Sequence, residues 1–172
     1  MVSGKPREAA LAYIGLGANL GGPARQVREA LDQLGTLPGT RLLSRSSLYR
    51  TEPIGFIDQP PFINAVARVE TTLSPQALLA GLLDLEQRHG RVRGRANGPR
   101  VLDLDLLMYD DRVLASPELI LPHPRMHLRA FVLLPLVEIA PLCVIPRRGP
   151  ARMLLGACAG QGVERLEGVF AA

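Results

Sequence analysis

The chain reads as an α+β fold with a ferredoxin-like βαββαβ core: an antiparallel sheet with helices packed on one face, followed by a C-terminal hairpin and helices. Two observations predict it. Up to Tyr109 the residue patterns run strand, helix, strand, strand, helix, strand, an order that suits helices laid on an antiparallel sheet. The last of these strands, Val101 to Tyr109, is apolar apart from Asp103 and Asp105. Successive side chains of an extended chain alternate between faces, so Leu102, Leu104 and Leu106 supply a core side. Both carboxylates then share the other face, with Asn64 of an earlier strand.

Composition sets the bounds. A length of 172 residues fits one domain with a real core: a loose leader at 1–9, a core at 10–145, and a C-terminal linker, small helix and tail at 146–172. With 47% hydrophobic residues, 4% aromatic and no Trp, that core is built of Leu, Val, Ile and Ala. The net charge of +4 suits an anionic partner without choosing among them. Cys143 and Cys158 have neither metal-ligand nor redox spacing, which points to a reduced, cytoplasmic protein. No apolar run reaches the roughly 18 residues needed to span a bilayer, and Met1 to Pro6 lacks the apolar stretch of a signal peptide.

Leu11 to Gly17 reads as a buried strand, closed by a turn at Ala18 to Gly22. Pro23 opens a helix whose stripe is Val27, Ala30, Leu31 and Leu34 at i, i+3, i+4 and i+7. Gly15, Gly17, Gly21 and Gly22 match neither a dinucleotide fingerprint nor a P-loop, so close packing and turn geometry explain them. Arg41 to Tyr49 is extended, Thr51 to Pro61 is a proline-rich loop, and Phe62 to Val69 is the next strand. Two readings fit Phe62 and Asn64 on one face of it: a ring and an amide that recognise a heteroaromatic ligand, or a core Phe beside a loop-capping Asn.

Ser74 and Pro75 cap and open the second helix, whose buried face holds Leu78, Leu79, Leu82, Leu83 and Leu85 and which ends near His89-Gly90. Glu86 is either an exposed acid or a carboxylate steering the arginines that follow. Beyond the Asp strand, Asp110-Asp111-Arg112 is a turn and Val113-Leu114 pairs back as a hairpin. An apolar segment from Leu119 to Ala140 reads as helix broken or restarted by Pro135, Pro146 to Pro150 as a basic linker, and 151–172 as a small helix and tail without chemistry.

The chemistry concentrates around Asp103 and Asp105. Two acids about 6.6 Å apart, at roughly 3.3 Å per residue along a strand, suit hard cations, and Mg²⁺ is commonly held by one or two carboxylates plus substrate phosphates. Between Arg88 and Arg100 lie Arg88, Arg91, Arg93, Arg95 and Arg100, three glycines and no acid. Guanidinium groups fork onto phosphate oxygens. Taken singly, a solvated basic loop and an edge strand with two outward acids are ordinary features; adjacent and opposite in charge, they favour a phosphoryl site.

Six blocks in order resemble the 6-hydroxymethyl-7,8-dihydropterin pyrophosphokinases of folate biosynthesis: Tyr-Ile-Gly-Leu-Gly-Ala-Asn-Leu at 13–20, Ser-Leu-Tyr-Arg-Thr-Glu-Pro at 47–53, Asp-Gln-Pro-Pro-Phe-Ile-Asn-Ala at 58–65, Gly-Pro-Arg-Val-Leu-Asp-Leu-Asp at 98–105, Pro-His-Pro-Arg-Met at 122–126 and Pro-Leu-Val-Glu-Ile-Ala-Pro at 135–141. The resemblance implies diphosphate transfer from ATP to the pterin hydroxymethyl group with release of AMP, using Mg²⁺. It implies that Asp103 and Asp105 bind two Mg²⁺ ions, with Asp103 also against the pterin. Phe62 and Phe131 would sandwich the pterin, Asn64 would read its edge, and backbone groups of Thr51, Glu52 and Ile54 would help. Glu86, Arg91, Arg93, Arg100, His123 and Arg129 fall where the family contacts ATP. Arg91, Arg100, Asp103 and Asp105 form the catalytic set.

Two positions depart from that pattern. Many members carry Arg-Trp before Gly-Pro-Arg, where this chain has Ala96-Asn97, with Arg95 one residue earlier; Pro124 replaces an aromatic residue of some members. The expected partners are ATP and the pterin, with no nucleic acid and no membrane, and the expected form is a monomer. Two rivals share the topology. An RNA-binding module needs aromatic and basic residues interleaved on its central strands, where this chain places acids; an inactive regulatory relative would account for the missing Arg-Trp.

Overall fold

The computed structural model describes residues 7–53, 58–90 and 101–166. Strand β1 (Ala10–Ala18) is followed by helix α1 (Pro23–Leu34), strands β2 (Thr40–Arg45), β3 (Leu48–Thr51) and β4 (Phe62–Thr71), helix α2 (Pro75–Arg88) and strand β5 (Asp103–Tyr109). These are the predicted βαββαβ elements, with the Arg41 to Tyr49 stretch split in two. Ser46 makes the break: its N–H donates to Val66 O and its Oγ accepts from Val66 N, both at 2.9 Å. β3 and β2 therefore pair with successive halves of β4.

All pairings in the main sheet are antiparallel, in the order β10 (Val163–Leu166), β3, β4, β1, β5, with β2 also on β4. Helices α1 and α2 cover one face. Val27, Ala30, Leu31 and Leu34 of α1, the predicted stripe, are buried with Leu78, Leu82 and Leu85 of α2 against Ile14, Leu16, Leu104 and Leu106. Each fully buried leucine or isoleucine contributes about 1.5–3 kcal/mol, which makes this layer the main core. The helix starts follow the sequence signals: Pro23 stands in the first turn of α1 after left-handed Gly22, and Ser74 Oγ caps α2 by accepting from Ala77 N.

The second face is not left wholly open. Helix α3 (Ala130–Ile139) lies on it, packing Leu133 and Leu136 against Val66, Leu107 and Met108. A bulge makes this possible: Tyr13 pairs with Met108 and Ile14 with Leu106, leaving Leu107 as the extra residue. Leu107 and Met108 thus both turn to α3, and Tyr109 returns to the first core with its hydroxyl donating to Leu73 O at 2.5 Å. Glu138 of α3 accepts from Ser47 N at 2.7 Å and Tyr49 Oη at 2.6 Å, tying the helix to β3. Burial, then the bond and charge of Glu138, push the Tyr49 phenol pKa upward.

Four expectations for the second half of the chain need correction. Leu114–Ala115 (β6) pairs with Ile120–Leu121 (β7) and not with β5, because the outer edge of β5 is already used: Glu86 accepts from Leu104 N and His123 N donates to Leu107 O. The apolar run from Leu119 is a strand and a 3-10 turn (Met126–Leu128) before it becomes α3. Pro135 neither breaks nor restarts α3; buried neighbours on both sides of it carry the helix through the missing N–H. The segment read as a linker forms a hairpin of β8 (Val144–Ile145) and β9 (Gly149–Pro150). After the short helix α4 (Ala151–Leu154), the tail supplies β10 (Val163–Leu166), which covers the edge of β3. Among the described residues no helix is long and apolar enough to cross a membrane.

Candidate active site

The uncovered part of the second face is a cavity of about 430 Å³, within the size range of small-molecule sites. Its floor is set by strand register. Asn64 of β4 stands opposite Gly17 of β1, and Gly17 opposite Asp103 of β5; one step along, Gly15 stands opposite Asp105. The two glycines keep the middle strand flat between an amide on one side and two carboxylates on the other. A Cβ on Gly17 would come within 2.8 Å of Asn64 Oδ1.

The walls come from three segments. Thr51, Glu52 and Phe62 flank Asn64, whose Nδ2 donates to Thr51 Oγ1 and so fixes the buried amide. Opposite them stand Arg125, Leu128, Arg129, Phe131 and Val132 from the start of α3 and the turn before it. The Arg129 guanidinium lies 5.4 Å from the centroid of Phe131, a cation-π contact. Gln161 closes the third side. The cavity thus carries two phenyl rings, the side-chain amides of Asn64 and Gln161, three acids (Glu52, Asp103 and Asp105) and two arginines.

His123 borders this charge. Burial lowers its pKa to about 4; Arg129 and Arg125 act in the same direction and Asp103 opposes them. Its Nδ1 accepts from Arg125 N at 3.1 Å, which leaves the ring proton on Nε2 in the neutral form. Glu86 is not an exposed acid. It is 2% accessible and accepts from Leu104 N at 3.0 Å, so it holds β5 from the helix side next to the two aspartates. Asn19 donates to Gln59 Oε1 and Pro60 O, both at 2.9 Å, anchoring the loop that leads into Phe62.

Of the residues singled out in the sequence, the cavity brings together Thr51, Glu52, Phe62, Asn64, Asp103, Asp105, Arg129 and Phe131, with His123 and Glu86 outside its lining. Ile54, Arg91, Arg93 and Arg100, with Arg95 and the Ala96-Asn97 pair, lie outside the described residues. Gly15, Gly17, Arg125 and Gln161 were not foreseen as site residues. Two glycines at i and i+2 within a strand are a signal of close approach, whereas nothing in the tail sequence marks Gln161.

Asp103 and Asp105 are hard oxygen donors on the cavity floor. Among the described residues no group of three or more His, Cys, Asp or Glu is placed to hold a metal ion. A two-carboxylate site fits Mg²⁺ only when substrate oxygens and water complete the shell.

Known proteins resemble this chain in sequence and in fold. The family described as 7,8-dihydro-6-hydroxymethylpterin-pyrophosphokinase (HPPK) matches residues 13–141. A 2-amino-4-hydroxy-6-hydroxymethyldihydropteridine pyrophosphokinase of Pseudomonas aeruginosa is 46% identical over 156 residues, covering 91% of this chain and 96% of the relative. One from Haemophilus influenzae is 47% identical over 135 residues, covering 78% and 84%. Among solved structures, Plasmodium falciparum HPPK-DHPS crystallised with pteroate superposes with a TM-score of 0.70 at 15% identity, over 88% of this chain and 43% of that one. That likeness shows the fold, and the chain spans less than half the length of the solved protein. From the matched family and the two bacterial relatives it follows that this chain belongs to the 7,8-dihydro-6-hydroxymethylpterin-pyrophosphokinase family.

Proposed function

We propose that the protein transfers diphosphate from ATP to the hydroxymethyl group of 6-hydroxymethyl-7,8-dihydropterin, releasing AMP, as a step in folate biosynthesis. The observation that carries this reading is the shared cavity of Phe62, Asn64, Phe131, Asp103 and Asp105. A fused heteroaromatic ring needs flat apolar surfaces and an amide at its edge. A triphosphate needs acids that recruit divalent cations and arginines that meet its oxygens.

In this reading Phe62 and Phe131 hold the faces of the pterin, and Asn64 reads its edge with backbone groups of Thr51, Glu52 and Ile54. Asp103 and Asp105 would hold Mg²⁺, two ions in this reading, and the metal would supply neutralisation of the triphosphate charge. Arg129 and His123, with Arg91, Arg93, Arg100 and Glu86, serve ATP. The pterin hydroxyl oxygen attacks the β-phosphorus in line, the bond to the AMP oxygen breaks as the new one forms, and the hydroxyl proton passes to water. No covalent enzyme intermediate is needed. Positioning and electrostatic stabilisation, led by Arg91 and Arg100 at the transferred group, supply the acceleration.

The test is AMP release from ATP by the full chain. Release that requires both 6-hydroxymethyl-7,8-dihydropterin and Mg²⁺ is the expected result. Absence of AMP under those conditions, with the protein folded, rejects the reading and favours an inactive relative.

A further inference from the structure

Helix α3 begins at Ala130 after Arg129, which provides no side-chain cap. The first N–H groups of a helix have no partner within it, so an external acceptor is needed if the start is to stay fixed. Gln161 supplies one from the far end of the chain. Its Oε1 accepts from Ala130 N at 2.9 Å and its Nε2 donates to Leu128 O at 2.8 Å. One amide therefore grips the backbone on both sides of Arg129, one residue ahead of Phe131.

The same segment grips the opposite wall. Gly162 O accepts from Glu52 N at 3.4 Å, and Val163 stands opposite Thr51 at the start of the β10–β3 pairing. Residues 161–163 thus bridge the wall carrying Thr51 and Glu52 and the wall carrying Leu128, Arg129 and Phe131, and the Gln161 side chain lines the cavity between them.

Resting on the pterin reading above, we propose that Gln161 is a positioning residue for the pterin slot. It fixes the start of α3, and with it Phe131, against the opposite wall. Both of its polar ends are engaged by backbone, so it acts through Phe131.

The experiment compares the full-length wild type with Q161L and Q161E. Q161L is close in size and makes neither bond; Q161E keeps an acceptor for Ala130 N and loses the donor to Leu128 O. Binding of 6-hydroxymethylpterin is titrated by its fluorescence, and AMP release is measured with pterin and ATP varied separately. The loss of two partly exposed hydrogen bonds sets the expectation: Q161L weakens pterin binding and raises its KM about tenfold, with kcat and the KM for ATP changed by less than about twofold. Q161E falls between. Wild-type binding retained in Q161L overturns the proposal alone, as does a parallel fall in every parameter or unfolding of both variants. A wild type that binds no pterin removes the proposal together with the reading on which it rests.

Discussion

Gly17 and Asn64 face each other across β1 and β4 so closely that a single added methyl group at Gly17 would sit 2.8 Å from the Asn64 carbonyl oxygen. The Asn64 amide is also bound to Thr51, so it cannot yield without losing a buried hydrogen bond. G17A is therefore expected to weaken pterin binding at least about tenfold, with overpacking costing roughly 1–3 kcal/mol of stability. G15A is the comparison, since the atoms nearest its Cβ would belong to the Leu107 side chain, at an ordinary 3.4 Å. Ligand titration and thermal melts of the two variants check this, and equal effects would remove the special role of the Gly17–Asn64 contact.

Asp103 and Asp105 project into one cavity from alternate positions of β5 while Leu104 and Leu106 fill the core. Alanine at either aspartate should lower AMP release by about a hundredfold or more, on the scale of losing one transition-state electrostatic contact. The fold should persist, as seen by circular dichroism. Near-normal diphosphate transfer by both variants would refute the metal assignment.

Glu86 binds the backbone of β5 from inside the protein. E86A orphans the Leu104 N–H and should cost about 1–3 kcal/mol in denaturant unfolding, whereas E86Q keeps an acceptor and should cost less. A stability effect with an unchanged KM for ATP would make Glu86 a support of Asp103 and Asp105. A raised KM with unchanged stability would place it on the nucleotide.

His123 gives the protein an acid limit. Burial chiefly, then Arg129 and Arg125, lowers its pKa to about 4, while the unfolded chain protonates near 6.5. Between those values the unfolded state binds more protons, so stability rises with pH across the window. The contribution is whole above about pH 6.5 and is lost as pH falls toward 4. Melting temperatures measured from pH 4 to 7 should show a steeper acid loss for the wild type than for H123Q. An imidazole NMR titration of the ligand-free protein should give a midpoint near the lowered value; an unshifted midpoint would contradict the buried environment.

The first half of the fold was legible because its signals are local. The Val27-Ala30-Leu31-Leu34 stripe, the Ser74 cap and the alternation of leucine and aspartate in β5 each specify an element without help from distant residues. The second half was less so. Leu114–Ala115 is diverted from β5 by bonds from Glu86 and His123 to the strand edge, and β10 exists because β3 offers it an edge. Pro135 is carried by tertiary packing against local preference. For the site, Asp103, Asp105, Asn64 and Phe62 were readable from strand alternation, and Phe131 came through family resemblance. Gln161 was out of reach because its role depends on two backbone groups about thirty residues away.

The floor of the cavity joins residues 17, 64 and 103, three positions widely separated along the chain, through nothing but the alignment of three strands. A slip of β1 by one residue against either neighbour would bring Leu16 or Ala18 into the row and turn its side chain into the space a ligand needs. Half-assembled or misaligned sheets therefore have no partial affinity to offer. Ligand occupancy then acts as a proofreader of assembly: it rewards one alignment of the sheet and, by mass action, withdraws population from every other.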